Sequence, residues 1–204
     1  MKFILHILFF ISLLAIVSEG SAQGYFSFGY GPSIPMGESK DYIDRTSWRS
    51  FSLEGGVFVT RNLSVGAAFS WYGSYKSYPW QTYENVNGTN ITVTGLQWRY
   101  GNLYPLVAVV KYYIPLKNER FRPFAGAGLG PYFMNRRLDL SVLSFSENST
   151  QFGFYPEIGF SFWFPLDFAL SLDARYNYTV KSNDVPAQSN VAVNFGLIWK
   201  IANH

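Results

Sequence analysis

The sequence predicts an all-β fold: an eight-stranded antiparallel up-and-down transmembrane β-barrel that follows an N-terminal signal peptide. Three observations predict it. Apolar and polar residues alternate with a period of two over most of the chain after residue 23, which is typical of strands with two unlike faces. Aromatic residues make up 20% of the chain and charged residues only 14%, whereas a typical soluble domain carries about 25% charged residues. Short connections between the predicted strands alternate with longer ones.

The N-terminus has the three parts of a secretory signal peptide. Lys2 supplies a positive charge, residues 3–17 are almost entirely apolar, and Gly20-Ser21-Ala22 provides small residues for a cleavage site. The alternative, a membrane anchor, needs about 20 apolar residues, and this run is shorter. We therefore predict a signal peptide at 1–22, cleaved after Ala22, and a barrel domain at 23–204.

The composition favours a barrel over transmembrane helices. No apolar segment of 18 residues follows Val17, so the mature chain offers no helix that could cross a bilayer. A closed barrel is the other structure that satisfies every backbone polar group in lipid. The net charge of +3, without any run of more than two basic residues, gives no indication of nucleic-acid binding.

The alternation divides the mature chain into eight strands. In the last two predicted strands, large apolar residues such as Leu170 and Phe195 share one face, and polar residues such as Arg175 and Asn194 share the other. The predicted strands span 24–34, 47–59, 62–76, 97–114, 121–135, 152–164, 168–180 and 191–201.

The connections predict how the barrel is oriented. Short turns are expected at 60–62, 115–120 and 165–167. Longer loops rich in Ser, Asn, Gly and Thr are expected at 35–46, 77–96, 136–150 and 181–188. This alternation is typical of outer-membrane barrels, whose short turns face the periplasm. Both chain ends then lie in the periplasm.

The two faces predict what the lumen contains. The face with the large aromatic residues is expected to point to lipid, because an eight-stranded barrel is too narrow to hold so many of them. The other face carries small residues and scattered charges. We interpret these charges as a plug of ion pairs rather than a polar pore or proton path, because eight strands leave little open channel. The predicted lumen charges are Glu54, Lys76, Lys111, Glu157, Asp173, Arg175 and Lys200.

Motifs for catalysis or metal binding are weak. The mature chain has one histidine, His204 at the very end, and the sequence has no cysteine. A Ser-His-Asp site or a metal site built on His or Cys is therefore not expected. We predict a protein without enzymatic activity, metal or cofactor.

Three segments resemble a known family. Arg122-Pro-Phe-Ala-Gly-Ala-Gly-Leu-Gly130, the preceding segment 109–116 and the closing segment 194–200 are similar to strands of small outer-membrane β-barrel-domain proteins of Bacteroidetes type, with the PorT-like group nearby. The resemblance implies an integral protein of a Gram-negative outer membrane, surrounded by lipid and inserted by the barrel-insertion machinery. Members commonly end on an aromatic residue, whereas here five residues follow Trp199, so either Trp199 serves as that signal or the signal is atypical.

The function expected from these observations is structural or interactive. The longest predicted loop, 77–96, and its flanks carry aromatic residues that could contact an unidentified protein or surface ligand. They are Tyr78, Trp80, Tyr83, Trp98 and Tyr100. The alternatives are a narrow, porin-like channel or conduit for small apolar molecules and, with less support, a lipid-modifying enzyme.

Overall fold

The structure is a computed structural model that describes residues 23–85, 90, 92–141, 143–182 and 185–201. The predicted signal peptide and His204 lie outside these residues. No helix in the described part of the chain is long and apolar enough to cross a membrane.

Strands account for most of the described chain. In chain order, its elements are β1 (Gly24–Tyr30), β2 (Ser33–Met36), α1 (Gly37–Tyr42), β3 (Arg49–Phe58), β4 (Leu63–Tyr83), β5 (Val93–Tyr113), β6 (Phe121–Leu140), β7 (Leu143–Trp163), β8 (Phe168–Thr179) and β9 (Ser189–Ile201).

The strands form one antiparallel ring. Sequential neighbours pair from β3 to β9, β1 pairs with β3, and the ring closes where β1 pairs with β9. β2 continues β1 and pairs with the upper part of β9. The two segments are separated at Gly31-Pro32, where Pro32 has no N–H to give to the ladder but its carbonyl accepts a bond of 3.0 Å from the N–H of Val193. Counting β1 and β2 as one crossing strand, the ring has the eight strands that the sequence predicts.

Two of the predicted long loops are wrong. β4 and β5 continue through most of 77–96, and β6 and β7 continue through most of 136–150. The predicted loop 35–46 likewise contains the end of β2 and all of α1. The alternation that marks a strand depends on unlike surroundings for its two faces, and these segments have polar residues on both faces.

The extra length of four strands builds a sheet that projects beyond the membrane-spanning ring. β4 to β7 have 20 or 21 residues each, whereas about 9–11 residues cross a bilayer. Nine or ten residues of β4, β5 and β7 therefore extend past the hydrocarbon region, roughly 30 Å along the strand, and five residues of β6 pair between β5 and β7. We call this extension the outer sheet; it comprises 74–83, 93–101, 136–140 and 143–151.

The barrel presents its apolar face outward and fills its interior. Large apolar side chains on the outer wall remain exposed, and Ile158, for example, is 66% accessible. Inside the end with the short turns, the interior is closed by one aromatic layer, formed by Tyr25, Phe58, Tyr113, Phe124 and Trp163 with Ala169 and Ile198. A second layer, nearer the outer sheet, is formed by Ala68, Val107, Val109, Tyr132 and Tyr155.

Inward glycines make room for these rings. Gly128 pairs across strands with Tyr155, and a Cβ on Gly128 would lie 2.5 Å from the Tyr155 ring. We expect Gly128→Ala to lower the free energy of unfolding by about 1–3 kcal/mol, because overpacking a filled interior forces side chains off their preferred rotamers. Urea unfolding in lipid vesicles, followed by tryptophan fluorescence, measures this loss. Gly55→Ala is the control, since no heavy atom lies within 4 Å of its Cβ position; equal losses in the two variants would contradict the packing argument.

Candidate functional site

The centre of the lumen holds a ring of alternating charges. The Lys111 Nζ lies 2.8 Å from Glu54 Oε2 and 3.1 Å from Glu157 Oε1. The Arg175 Nη2 lies 3.3 Å and 3.4 Å from the same two carboxylate oxygens. Asp173 joins from one side, with its Oδ2 3.2 Å from Arg175 Nε. All five side chains are buried, and we call them the lumen charge cluster.

Strand alternation explains why these five residues meet. They come from β3, β5, β7 and β8, each at a position whose side chain points inward. Glu157 and Arg175 are direct cross-strand partners in the β7–β8 register. Removing charges from water is costly unless each is paired and hydrogen-bonded, so a narrow lumen favours a closed network of opposite charges.

Neutral neighbours extend the lumen charge cluster. The Tyr25 hydroxyl donates a 2.8 Å hydrogen bond to Glu54, and the Asn194 amide donates one of 2.6 Å to Asp173. The Lys111 ammonium also lies 4.9 Å from the ring centroid of Phe124 in the first layer, and the Arg175 guanidinium lies 5.2 Å from that of Tyr155 in the second. The cluster thus lies between the layers, and together they fill the lumen with side chains.

Two of the seven predicted lumen charges are not part of the lumen charge cluster. The Lys76 ammonium is near the outer sheet, 2.5 Å from Asp44 Oδ1. The Lys200 ammonium lies over the Trp163 ring, 4.6 Å from its centroid, at the short-turn end. The sequence analysis did not include Tyr25 or Asn194 among the candidate site residues. Both lie at positions of the alternating pattern whose side chains point into the lumen, so the pattern could have identified them.

The helix α1 covers the other mouth of the barrel. The Ser39 hydroxyl donates to Gln188 Oε1 and accepts from the backbone N–H of Ser189, both at 2.9 Å. Ile43, directly after α1, is buried. The Tyr42 ring lies between two guanidinium groups, 5.4 Å from that of Arg99 and 4.7 Å from that of Arg136. These contacts hold the first connection inside the mouth.

Electrostatics at the mouth follow from these contacts. Burial raises the pKa of the Tyr42 hydroxyl above its usual value. The hydrogen bond from the Lys76 ammonium lowers the pKa of the exposed Asp44 carboxyl.

Below α1 is a partly open cavity of about 60 Å³, lined by Tyr72, Leu103, Met134, Arg136 and Asn190 among others, which has room for a few water molecules. In the described segments, no group of three or more His, Cys, Asp or Glu side chains is arranged to hold a metal ion.

The predicted interaction aromatics do not form one surface. Tyr78 lies against the cations of the mouth, with the Arg99 guanidinium 4.7 Å from its ring. Tyr100 instead packs against Tyr75 with ring centroids 5.1 Å apart, on the outward face, and alternation places Trp98 on that face as well. Trp80 is largely exposed, and the Tyr83 hydroxyl donates to the backbone carbonyl of Pro79 at 2.6 Å.

Comparison with known proteins identifies the family. Residues 4–198 match the outer membrane protein beta-barrel domain family, a match over nearly the whole chain. The chain belongs to this family. It is therefore a small integral outer-membrane β-barrel of bacterial type, in agreement with the apolar outer wall and the closed ring. No curated protein sequence matches the chain significantly.

Solved structures of outer-membrane β-barrels share the fold of this family member. Neisserial surface protein A is 17% identical, with a TM-score of 0.59, over 89% of this chain and 98% of that one. The Ail protein of Yersinia pestis is 15% identical, with a TM-score of 0.54, over 89% and 100%. The outer membrane protease OmpT of Escherichia coli is 6% identical, with a TM-score of 0.54, over 91% and 100%. At these identities the likeness shows the fold alone.

Proposed function

We propose that this outer-membrane β-barrel is a non-enzymatic protein that presents its outer sheet to a partner at the cell surface. One observation carries the proposal: four neighbouring strands continue beyond the membrane span, β4, β5 and β7 by nine or ten residues and β6 by five, on a barrel whose lumen is filled. The extension is not needed to cross the bilayer. An ordered sheet that exposes both polar and aromatic residues is a suitable platform for contacts outside the membrane.

The orientation follows from the family architecture. In outer-membrane barrels the short turns face the periplasm and the longer connections face outward. The turns after β3, β5 and β7 are short, and the outer sheet is at the opposite end. With the signal peptide removed after Ala22, both ends of the mature chain would lie in the periplasm of a Gram-negative cell, in keeping with the resemblance to the Bacteroidetes-type and PorT-like proteins.

A surface-binding role has a precedent among proteins of this fold. Ail is an attachment invasion locus protein. The neighbour OmpT is a protease, but the lumen charge cluster here is sealed between two layers of side chains. This closed arrangement favours binding over catalysis.

The filled lumen argues against the porin-like alternative. Among the residues that the structure describes, the two layers and the lumen charge cluster leave no open path for a solute along the barrel axis. We expect the purified protein in a planar bilayer to give no conductance above the protein-free background. A 16-stranded porin with a water-filled channel serves as the positive control for the apparatus, and stable unitary current steps would contradict a closed lumen.

Trimming the outer sheet tests the proposed function. One variant replaces 77–98 with Asn-Gly, which joins the paired residues Lys76 and Arg99. It also replaces 138–145 with Asn-Gly, which joins the paired Arg137 and Ser146. Asn-Gly is the preferred sequence for a two-residue hairpin turn. We expect the trimmed barrel to fold and to shift on unheated gels as the parent does.

The functional readout is complementation in the native host. We expect the trimmed barrel to reproduce the defect of a full deletion, at equal abundance in the outer membrane. Full complementation by the trimmed barrel would place the function in the membrane-spanning ring and overturn the proposal.

A further inference from the structure

The outer sheet has two side edges, and the β4 edge is protected. The Ser47 hydroxyl donates to the carbonyl of Gly73 at 2.5 Å, and Lys76 on this edge is held by Asp44. Further out, β4 carries Pro79, and its pairing with β5 is irregular between Tyr78 and Gln81. Charged residues, prolines and bulges are the devices by which proteins keep an edge strand from pairing with another chain.

The β7 edge has a single charged residue, Glu147, and lacks the other devices. Its residues 143–151 contain no proline and no basic residue, and β7 keeps a continuous register with β6 over its whole length. On the other side, the N–H of Val180 donates to the carbonyl of Phe152 at 2.8 Å. Beyond that bond, no described strand pairs with this side of β7. Among the described residues of the β8–β9 connection, Val185 and Pro186 contact β7 by accepting hydrogen bonds from the Gln151 side chain.

The register identifies which backbone groups are free. Successive residues of a strand direct their N–H and C=O groups to opposite sides. Because Phe152 directs its carbonyl toward the β8 side, the even-numbered residues before it do so too. Ser144, Ser146, Asn148 and Thr150 therefore direct their backbone groups away from β6, and all four are exposed. They form a straight row of free donors and acceptors, eight residues long including their neighbours.

A second copy in the same membrane cannot occupy this row. Barrel strands tilt by about 35–45° from the membrane normal. A twofold axis along the normal would make the β7 edges of two copies cross at roughly 70–90°, and a ladder needs nearly collinear strands. A flexible, extended peptide segment is free of this constraint.

We propose that the β7 edge, residues 143–150, binds an extended segment of a partner protein by β-strand addition. This inference rests on the proposed function and names its partner class. Main-chain hydrogen bonds supply the affinity in this mode, and alternate side chains supply the specificity. Glu147 is the sole charged residue of 143–151. A Lys or Arg opposite it is therefore favoured in the partner, because opposite charges stabilise cross-strand pairs.

The test uses a proline on the free edge. Ser146→Pro removes an N–H that points away from β6, so no β6–β7 bond is lost and the strand is expected to persist. Ser146→Ala keeps that N–H and is the matched control. The probe is a phage-displayed library of random twelve-residue peptides, panned on the protein in lipid nanodiscs. We expect enrichment of proline-poor, β-branched sequences with a basic residue, and about tenfold weaker binding to Ser146→Pro than to Ser146→Ala.

The outcomes separate this inference from the proposed function. The absence of enriched peptides, binders that tolerate Ser146→Pro, or a dimer in nanodiscs that Ser146→Pro abolishes would each overturn strand addition by a partner peptide. A trimmed barrel that complements the deletion would instead overturn the proposed function, even when peptides bind the β7 edge. Amide exchange gives an independent readout: a bound peptide is expected to slow exchange at Ser144, Ser146, Asn148 and Thr150, and unchanged exchange there overturns the inference.

Discussion

Lys111→Met is expected to lower the free energy of unfolding by about 3–5 kcal/mol, the usual cost of removing one partner from a buried ion pair. The lumen charge cluster contains three carboxylates and two cations. Without Lys111, Glu54 and Glu157 lose their shortest ionic contacts, of 2.8 Å and 3.1 Å, and Arg175 alone faces three buried negative charges. Equilibrium unfolding in lipid vesicles measures the loss.

The control for Lys111 is the same substitution at Lys76. This side chain also contacts a carboxylate at 2.5 Å, but both partners are accessible to solvent, and exposed pairs contribute about 0–1 kcal/mol. The double variant Lys111→Met/Glu157→Gln is expected to be more stable than Lys111→Met alone, since it removes one of the excess charges. Equal losses for Lys111→Met and Lys76→Met would show that the lumen charge cluster is solvated rather than closed.

Tyr113→Ala is expected to be as damaging, with a loss of about 3–5 kcal/mol, the range measured for large aromatic residues in protein cores. Tyr113 is 1% exposed. Its ring centroid lies 5.4 Å from those of both Phe58 and Phe124, and the Arg122 guanidinium lies 5.0 Å from its centroid. Truncation leaves a cavity in the layer that closes the short-turn end. Equilibrium unfolding of the folded barrel in guanidinium measures the loss in free energy of unfolding.

The adjacent residue is the control for Tyr113. Tyr112 is 51% exposed on the outer wall, so Tyr112→Ala removes the same atoms from the opposite face and is expected to cost much less. A larger loss for Tyr112→Ala than for Tyr113→Ala would mean that the faces of β5 are reversed, because a shift of one residue exchanges them.

The membrane-spanning strands could be predicted from the sequence because lipid and lumen impose opposite demands on their two faces. The alternation from Phe168 to Arg175 predicted which side chains of β8 point to lipid and where the strand begins. In the structure β8 begins at Phe168. The outer sheet could not be predicted in the same way. Residues such as Thr82 and Thr94, whose hydroxyls bond at 2.8 Å, are polar on strands surrounded by water on both faces, and their sequence is typical of a loop.

The lumen charges show a second limit of sequence reasoning. Alternation gives the side of the wall on which a residue lies, and for Glu54, Lys111 and Arg175 that was enough to place them inside. It does not give the height along the axis. Lys76 follows the same alternation as its inward neighbours but lies nearer the outer sheet than the lumen charge cluster does, beside Asp44. Lys200 lies on the other side of the cluster, at the short-turn end. Height depends on the stagger between strands, which is set by pairing across the ring.

The seam between β1 and β9 has a consequence for how the chain acquires its structure. With β1 and β2 counted as one crossing strand, every other strand pairing joins neighbours along the sequence, but this seam joins Gly24 to Ile201 and Tyr30 to Phe195, and β2 continues it along β9. Contacts between such distant residues form slowly, because a long loop must close first. Until β9 has been synthesised and exported, β1 has an open edge that is prone to aggregate in water and costly in lipid. The polypeptide must therefore be kept unfolded in transit, and a product truncated before β9 would be a substrate for proteolysis rather than a smaller barrel.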